Sequence, residues 1–269
     1  MRFDVVTLFP ELFTPHLGHG VTRRAFAASA ATAPKVDVRL WSLRDFAEDN
    51  YRRVDDRPYG GGPGMVMLVE PLLRALQAVR EDREDSKHRD ASDEASPAVV
   101  HFTPTGRRIE QTVVQEFASG SGAVLLCGRY EGIDQRVIDA HVTHELSLGD
   151  FVLSGGELPA LALLDAVARL QDGVLNEPSH LQDSFSDGLL EGPQYSRPER
   201  IGIDGVEQSV PEVLMSGHHG QIARWRRERS LELTLRRRPE LIGAARAAGK
   251  LSRADEKFLR SLVSAAGLQ

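Results

Sequence analysis

Two hydrophobic periods alternate through the first 170 residues, and that alternation limits the folds open to this chain more than any other feature. Short β-branched or continuous apolar runs read as strands, and apolar residues three and four apart read as helices. Arg2–Phe9 is a strand of the first kind, and Pro10-Glu11 opens a helix. Val36–Leu40 alternates as a strand should. Pro71–Arg80 carries Leu72, Leu73, Leu76 and Val79 at helical spacing. Ala98–Phe102 predicts a strand, Ile109–Phe117 a helix, and Ala123–Cys127 a buried strand. Glu157–Leu170 places Leu158, Leu161, Leu164 and Ala168 on one helical face. Strands alternating with helices predict an α/β layer around a largely parallel sheet.

The pattern then changes twice. Glu81–Ser96 holds seven acidic and three basic residues and nothing apolar larger than alanine, so it reads as a solvated, mobile insertion without chemistry of its own. Gln171–Gln208 is rich in Gly, Pro, Ser and Asp and lacks periodicity, as expected of a linker or lid. Beyond it, Pro211–Met215, His218–Arg237, Pro239–Ala248 and Ala254–Ala266 predict a small all-helical domain. The expected organisation is an α/β domain over 1–170 with the 81–96 insertion, a linker over 171–208 and a helical domain over 209–269.

Charge divides the same way. Gln221–Arg260 contains twelve Lys or Arg against five carboxylates, a local charge of +7. The whole chain carries −6, which leaves −13 on the remainder. A basic helical appendage on an acidic body points to a polyanionic partner. A single cysteine, Cys127, excludes an internal disulfide framework and any multi-cysteine zinc site. No apolar run approaches the roughly 18–20 residues needed to cross a bilayer. Asp4 interrupts what would be the apolar part of a signal peptide, so a soluble cytoplasmic protein without a membrane partner is expected.

Five motifs could carry chemistry. Tyr59–Met65 packs four glycines and a proline into five consecutive positions, which suits either close approach to a ligand or RNA backbone or a tight connection. It is no Walker loop, because no Lys-Ser/Thr pair follows. Leu126–Asp134 lies where a buried strand ends, the place where open α/β sheets bind ligands. Gly128 and Gly132 allow close approach there and Glu131 offers a carboxylate. The bland alternative is a strand-to-helix turn capped by Asp134. Cys127 closes an apolar run and reads as structural. Leu148–Pro159 contains three glycines at a helix start and fits a backbone-lined pocket for a flat ring, or an ordinary loop entering a helix. Asp183–Leu190 sets a carboxylate beside an aromatic, which suits a general base delivered by a closing loop or simple helix capping. Val210–Arg227 joins a turn, a helix start, Trp225 and arginines. Nucleic-acid binding competes there with a solvated helix face whose Trp225 belongs to the small core. His218 and His219 lack a third metal ligand at suitable spacing.

Together the segments RFDVVTLFPELF, RPYGGGPGMVM, LCGRYEGIDQRV, LSLGDFVLSGGELPAL, DSFSDGLLEGPQYSRP and VPEVLMSGHHGQIARWRR resemble the bacterial tRNA (guanine-N(1))-methyltransferase family over nearly the whole chain. Only Glu81–Ser96 falls outside the resemblance. It implies a SPOUT-type α/β domain with a deep C-terminal trefoil knot, an exception to the rule that chains do not thread loops. It implies transfer of a methyl group from S-adenosylmethionine to ring nitrogen 1 of the guanosine just 3′ of the anticodon of tRNA. By the same resemblance, the cofactor site comprises Phe102, Thr103, Pro104, Gly128, Tyr130, Glu131, Gly132, Leu148, Gly149, Asp150, Phe151, Val152, Leu153, Gly155, Gly156 and Pro159. Asp183 becomes the general base and Arg169 its assistant. The resemblance implies an obligate homodimer with shared active sites and a Mg²⁺ requirement, though no motif marks a metal site. His101, Thr103 and Phe151 stand where relatives commonly carry tyrosine or serine.

The chemistry accounts for these residue types. Guanine N1 is protonated at neutral pH, so a carboxylate must take its proton as the methyl group arrives. Negative charge develops on the adjacent exocyclic oxygen, which a guanidinium can stabilise. The target base leaves its stack. Arg224, Arg227, Arg236, Arg237 and Arg238 are expected to hold the anticodon stem-loop through phosphates, with no role for DNA. A ribose 2′-O-methyltransferase would need no base for a ring nitrogen, and a non-catalytic RNA-binding knot would not keep the glycine loops and Asp183.

Overall fold

The computed structural model describes residues 1–28, 33–87, 96–175 and 183–265. Contacts divide the chain into two units, Met1–Asn176 and Glu177–Gln269.

The first unit is built on β1 (Arg2–Thr7), β2 (Asp37–Ser42), β5 (Ala98–Arg108), β6 (Gly122–Leu126) and β7 (His144–Ser147). They form one sheet in the order β2-β1-β6-β5-β7, with every pairing parallel. Alternate residues of each strand face opposite sides, so one strand feeds two cores. Phe3 and Val5 of β1, Ala123 and Leu125 of β6, and Val100 of β5 pack under α1 (Phe13–Gly18), α4 (Gln111–Ser119) and α6 (Glu157–Arg169). Val6, Val124, Leu126 and Val99 pack on the other face against α3 (Val69–Lys87) and α5 (Gln135–His141). The expected α/β layer with a parallel sheet is therefore present. A short helix α2 (Arg23–Phe26) and a two-residue pairing of β3 (Asp55–Asp56) with β4 (Val66–Met67) complete the unit. Asp134 caps α5, accepting from the Arg136 amide at 2.9 Å.

The acidic stretch requires a correction. Helix α3 continues through Lys87, and although Glu81, Glu84 and Asp85 are exposed as expected, Asp82 and Arg83 are tied into the fold. Asp4 points into the α3 side of the sheet and is fully buried. Its carboxylate meets Arg2 Nη2 at 2.6 Å, Arg83 Nε at 2.6 Å and Trp41 Nε1 at 2.9 Å. Asp82 binds Arg2 at 2.6 Å and also pairs with Arg39. A buried carboxylate survives only with such partners, and one of them comes from the acidic stretch. Composition marked these residues as solvated because a sequence window does not show that their helix crosses a buried charge. Positions 88–95 lie outside the described residues.

The second unit has a small core of Leu189, Leu231, Ile242, Ala245 and Leu259. It contains α7 (Glu212–Met215), α8 (His219–Arg237), α9 (Pro239–Ala247) and α10 (Arg253–Ala265). The stretch read as a linker is not uniform. Val174 is buried in the first unit and Leu189 in the second. Arg200–Ile203 (β8) and Val206–Ser209 (β9) form an antiparallel hairpin. Its turn is Asp204-Gly205, both left-handed, the residue pair that a tight two-residue hairpin turn requires.

Candidate active site

The irregular middle of β5, where its register shifts between Phe102 and Arg107, meets the loops that follow β6 and β7. They enclose a cavity of about 250 Å³, lined by Phe102–Pro104, Gly128–Gly132, Leu148, Gly149, Phe151–Gly156 and Pro159. Every residue expected at a cofactor site lines it except Asp150. Asp150 faces solvent and pairs with Arg108. His101, Arg129, Leu146, Ser147 and Ser154 also line the cavity, beyond the expected set.

The glycines here are dictated by close approach. A Cβ on Gly156 would stand 2.8 Å from Cys127 Cα and 3.1 Å from the Gly128 nitrogen. That contact allows the Gly156 amide to donate to the Gly128 carbonyl at 2.9 Å, joining the second loop to the third. Gly132 has φ +139, a conformation that side chains rarely adopt. Phe151 and Val152 are exposed at the cavity, apolar groups that a ligand would cover. His101 is buried with its Nδ1 lacking a hydrogen-bond partner among the described residues. Burial holds its imidazole below the usual histidine range, against a weaker upward pull from Glu145, so it is neutral at pH 7. Cys127 is 2 % exposed, and burial with the nearby Glu157 charge pushes its thiol well up. It is therefore unsuited to be a nucleophile.

The glycine-rich motif Tyr59–Met65 braces this pocket from outside. The Glu131 amide donates to the Met65 carbonyl at 2.9 Å, and the Met67 amide to the Gly132 carbonyl at 3.0 Å. A Cβ on Gly64 would strike the Glu131 carboxylate at 2.3 Å. Tyr130 is left-handed, and burial with hydrogen bonding to Asp55 pushes its hydroxyl up.

A second cavity, about 450 Å³, lies within the second unit. Asp183, Asp187, Gln194, His219, Arg226 and Arg227 are among its lining residues. The segment carrying Asp183 is tied to α8. The Leu190 amide donates to Thr234 Oγ1 at 2.9 Å, and Ser230 Oγ donates to the Leu190 carbonyl at 2.5 Å. Closer to Asp183, the Glu191 amide donates to Ser184 Oγ at 2.9 Å, and Phe185 is left-handed. Arg169 stands half-buried in the last turn of α6 in the first unit.

The family model for tRNA (guanine-1)-methyltransferase TrmD matches residues 1–244. The chain belongs to the tRNA (guanine-1)-methyltransferase family. It is 66 % identical over 263 residues to the tRNA (guanine-N(1)-)-methyltransferase of Leptothrix cholodnii, spanning 97 % of this chain and 99 % of that protein. The enzyme of the same name from Methylibium petroleiphilum is 65 % identical, with 97 % and 98 % covered. That from Bordetella pertussis is 54 % identical over 266 residues, again with 97 % and 98 % covered.

In this family member the basic helices hold their arginines in two ways. Arg236, Arg237 and Arg238 are exposed at the end of α8. Arg236 has Glu232 at 3.1 Å, and Arg238 pairs with Glu240. Arg224 is exposed and bonds Glu228 at 2.9 Å. Arg227 differs, because it pairs with Asp187 and meets Asp255 at 3.2 Å. That guanidinium, 30 % exposed, ties α8 to two carboxylates of the same unit. Trp225 lies outside the small core, 6.1 Å from the Tyr195 ring. Among the described residues, no group of three His, Cys, Asp or Glu side chains could hold a metal ion. Nor is any described helix long and apolar enough to cross a membrane.

The missed residues had a partial signal. Arg129 and Ser154 sit inside motifs singled out for their glycines, and attention to the glycines passed over the side chains between them. Leu146 and Ser147 belong to a four-residue strand too short for its period to be counted.

Proposed function

We propose that this chain transfers a methyl group from S-adenosylmethionine to ring nitrogen 1 of the guanosine immediately 3′ of the anticodon in tRNA. The observation that carries the reading is the three-loop cavity of the first unit, in a chain that belongs to this family over nearly its full length. Its residues suit the cofactor. Gly128, Gly155 and Gly156 let the second and third loops approach closely where a Cβ would meet His101, Arg129 or Cys127. Phe102, Leu148, Val152 and Leu153 offer apolar cover for a flat ring, and His101 Nδ1 remains to be partnered. When bound, the cofactor supplies a methyl group already activated on a sulfonium.

The chain's task is then placement and one proton. Asp183 accepts the guanine N1 proton as the N1–methyl bond forms, and the cofactor departs as a neutral thioether. Arg169 stabilises the negative charge that gathers on the exocyclic oxygen. The segment around Asp183 acts as the lid, and Arg224, Arg227 and Arg236–Arg238 hold the anticodon stem-loop by its phosphates. A SPOUT architecture with a trefoil knot, a homodimer with shared active sites and a cytoplasmic location belong to the same proposal. The parallel sheet, with its loops gathered at one end, supports the architecture. Mg²⁺ is part of the proposal only as a requirement of the reaction. The described residues do not fit a metal site, and no step passes through the ion.

The test is methyl transfer from labelled S-adenosylmethionine to unmodified tRNA transcripts with guanosine or adenosine at the target position. Incorporation on the guanosine transcript alone, mapped to N1, is expected. Incorporation on the adenosine transcript, or on a ribose oxygen, would overturn the assignment.

A further inference from the structure

Glu157 is a carboxylate, only 1 % exposed, that the reaction above does not use. It opens α6, and its two oxygens face different parts of the first unit. Oε1 accepts a hydrogen bond from Thr7 Oγ1, at the end of β1, at 2.8 Å. Oε2 lies 2.8 Å from Arg129 Nε. Arg129 Nη1 donates to the Ser154 carbonyl at 3.2 Å and to Ser154 Oγ at 3.3 Å. Its guanidinium also covers the Phe9 ring, 4.6 Å from the centroid. One carboxylate thus links β1, the second loop and the third loop. The chain path is fitted to the pair, because a Cβ on Gly155 would stand 2.3 Å from Arg129 Nε and 2.6 Å from Glu157 Oε2.

The arrangement has an electrostatic consequence. Arg129 lines the cavity and Glu157 lies behind it. A sulfonium is a cation, and an uncompensated guanidinium in the same cavity would repel it in a partly dry medium. After transfer the thioether product is neutral and would feel no such penalty. Resting on the reading of this cavity as the cofactor site, we propose that Glu157 is a positioning residue with a second effect on selectivity. It neutralises Arg129 so that the site accepts a sulfonium, and it holds the second and third loops at a fixed spacing.

The test is calorimetric titration of S-adenosylmethionine and S-adenosylhomocysteine into wild type and three variants. Glu157→Gln keeps an acceptor for Thr7 but removes the charge. It is expected to weaken the sulfonium ligand about ten-fold more than the thioether. Arg129→Gln with Glu157→Gln removes both charges and is expected to return the ratio to within about two-fold of wild type. Arg129→Gln alone should move the ratio the other way, toward the sulfonium, which keeps the test intact if the first variant does not fold. A purely structural role would weaken both ligands by the same factor in all three variants, and that result would overturn the proposal. Binding of neither ligand by folded wild type would reject the cofactor reading itself, and the proposal with it.

Discussion

The two cavities are made by opposite means. The walls of the first are fixed by contacts that leave no slack. Gly156 rests against Cys127, Gly64 against Glu131, and Glu157 is sealed between Thr7 and Arg129. The second is lined by apolar residues such as Leu189 and Ile222 together with charged ones, among them Arg227 and Asp187, whose ion pair reaches solvent. The arginines offered to RNA are also held by exposed pairs, and such pairs contribute little stability. A small ligand of one shape rewards a rigid, pre-formed cavity, because ordering it costs binding energy. A long polyanion rewards side chains that can exchange an intramolecular carboxylate for a phosphate. The difference teaches that rigidity in this chain follows the size of the ligand each unit is proposed to hold.

Four perturbations should separate the units. The largest effect is expected from Arg83→Ala, which strips a partner from fully buried Asp4. Breaking a buried pair costs about 3 kcal/mol, read as a lower denaturant midpoint. Deleting Glu81–Ser96 should be at least as damaging, contrary to what its acidic composition suggests. Tolerance of either change would mean that Arg2 and Trp41 alone satisfy Asp4. Next, reversing charge at Arg236, Arg237 and Arg238 should weaken tRNA binding by about ten-fold or more and flatten the salt dependence by a slope of about 2. Cofactor affinity should not move. Equal loss of both would erase the proposed division of labour. The smallest effect concerns acid. Burial raises the Asp255 carboxyl, but hydrogen bonds from Arg227 and the Ser252 amide outweigh it and hold the group below its usual range. A depressed carboxylate stabilises the fold above its unfolded value and loses that contribution as pH falls through the folded one. Melting of the second unit should therefore weaken progressively below about pH 4. Asp255→Asn should flatten that dependence, and an unchanged acid profile would remove Asp255 from the account.

Much of the first unit was legible because its signals are local. Ala123–Leu126 is apolar without a break, since a parallel strand buried on both faces has no polar side to show. The Leu72, Leu76 and Val79 spacing likewise announced α3, although its end at Lys87 did not show in composition. The loops around the first cavity are marked by their glycines and by the family resemblance, which agree on one end of the sheet. Partners distant in sequence could not be read. Asp4 and Arg83 are 79 positions apart, and Thr7 and Glu157 150 apart. Each looks like an ordinary polar residue until the sheet brings it to its partner. The hairpin over Arg200–Ser209 was readable from Asp204-Gly205 between alternating Ile201, Ile203 and Val206, but its polar neighbours masked it.

The most direct test of the account is a single-turnover measurement on Asp183→Asn with cofactor binding followed in the same preparation. The account places the cofactor with the first unit and the proton acceptor with the second. It predicts a methyl-transfer rate lower by about 10²–10⁴-fold, with S-adenosylmethionine affinity within about two-fold of wild type. A rate that survives, or an affinity that falls in step with the rate, would contradict it.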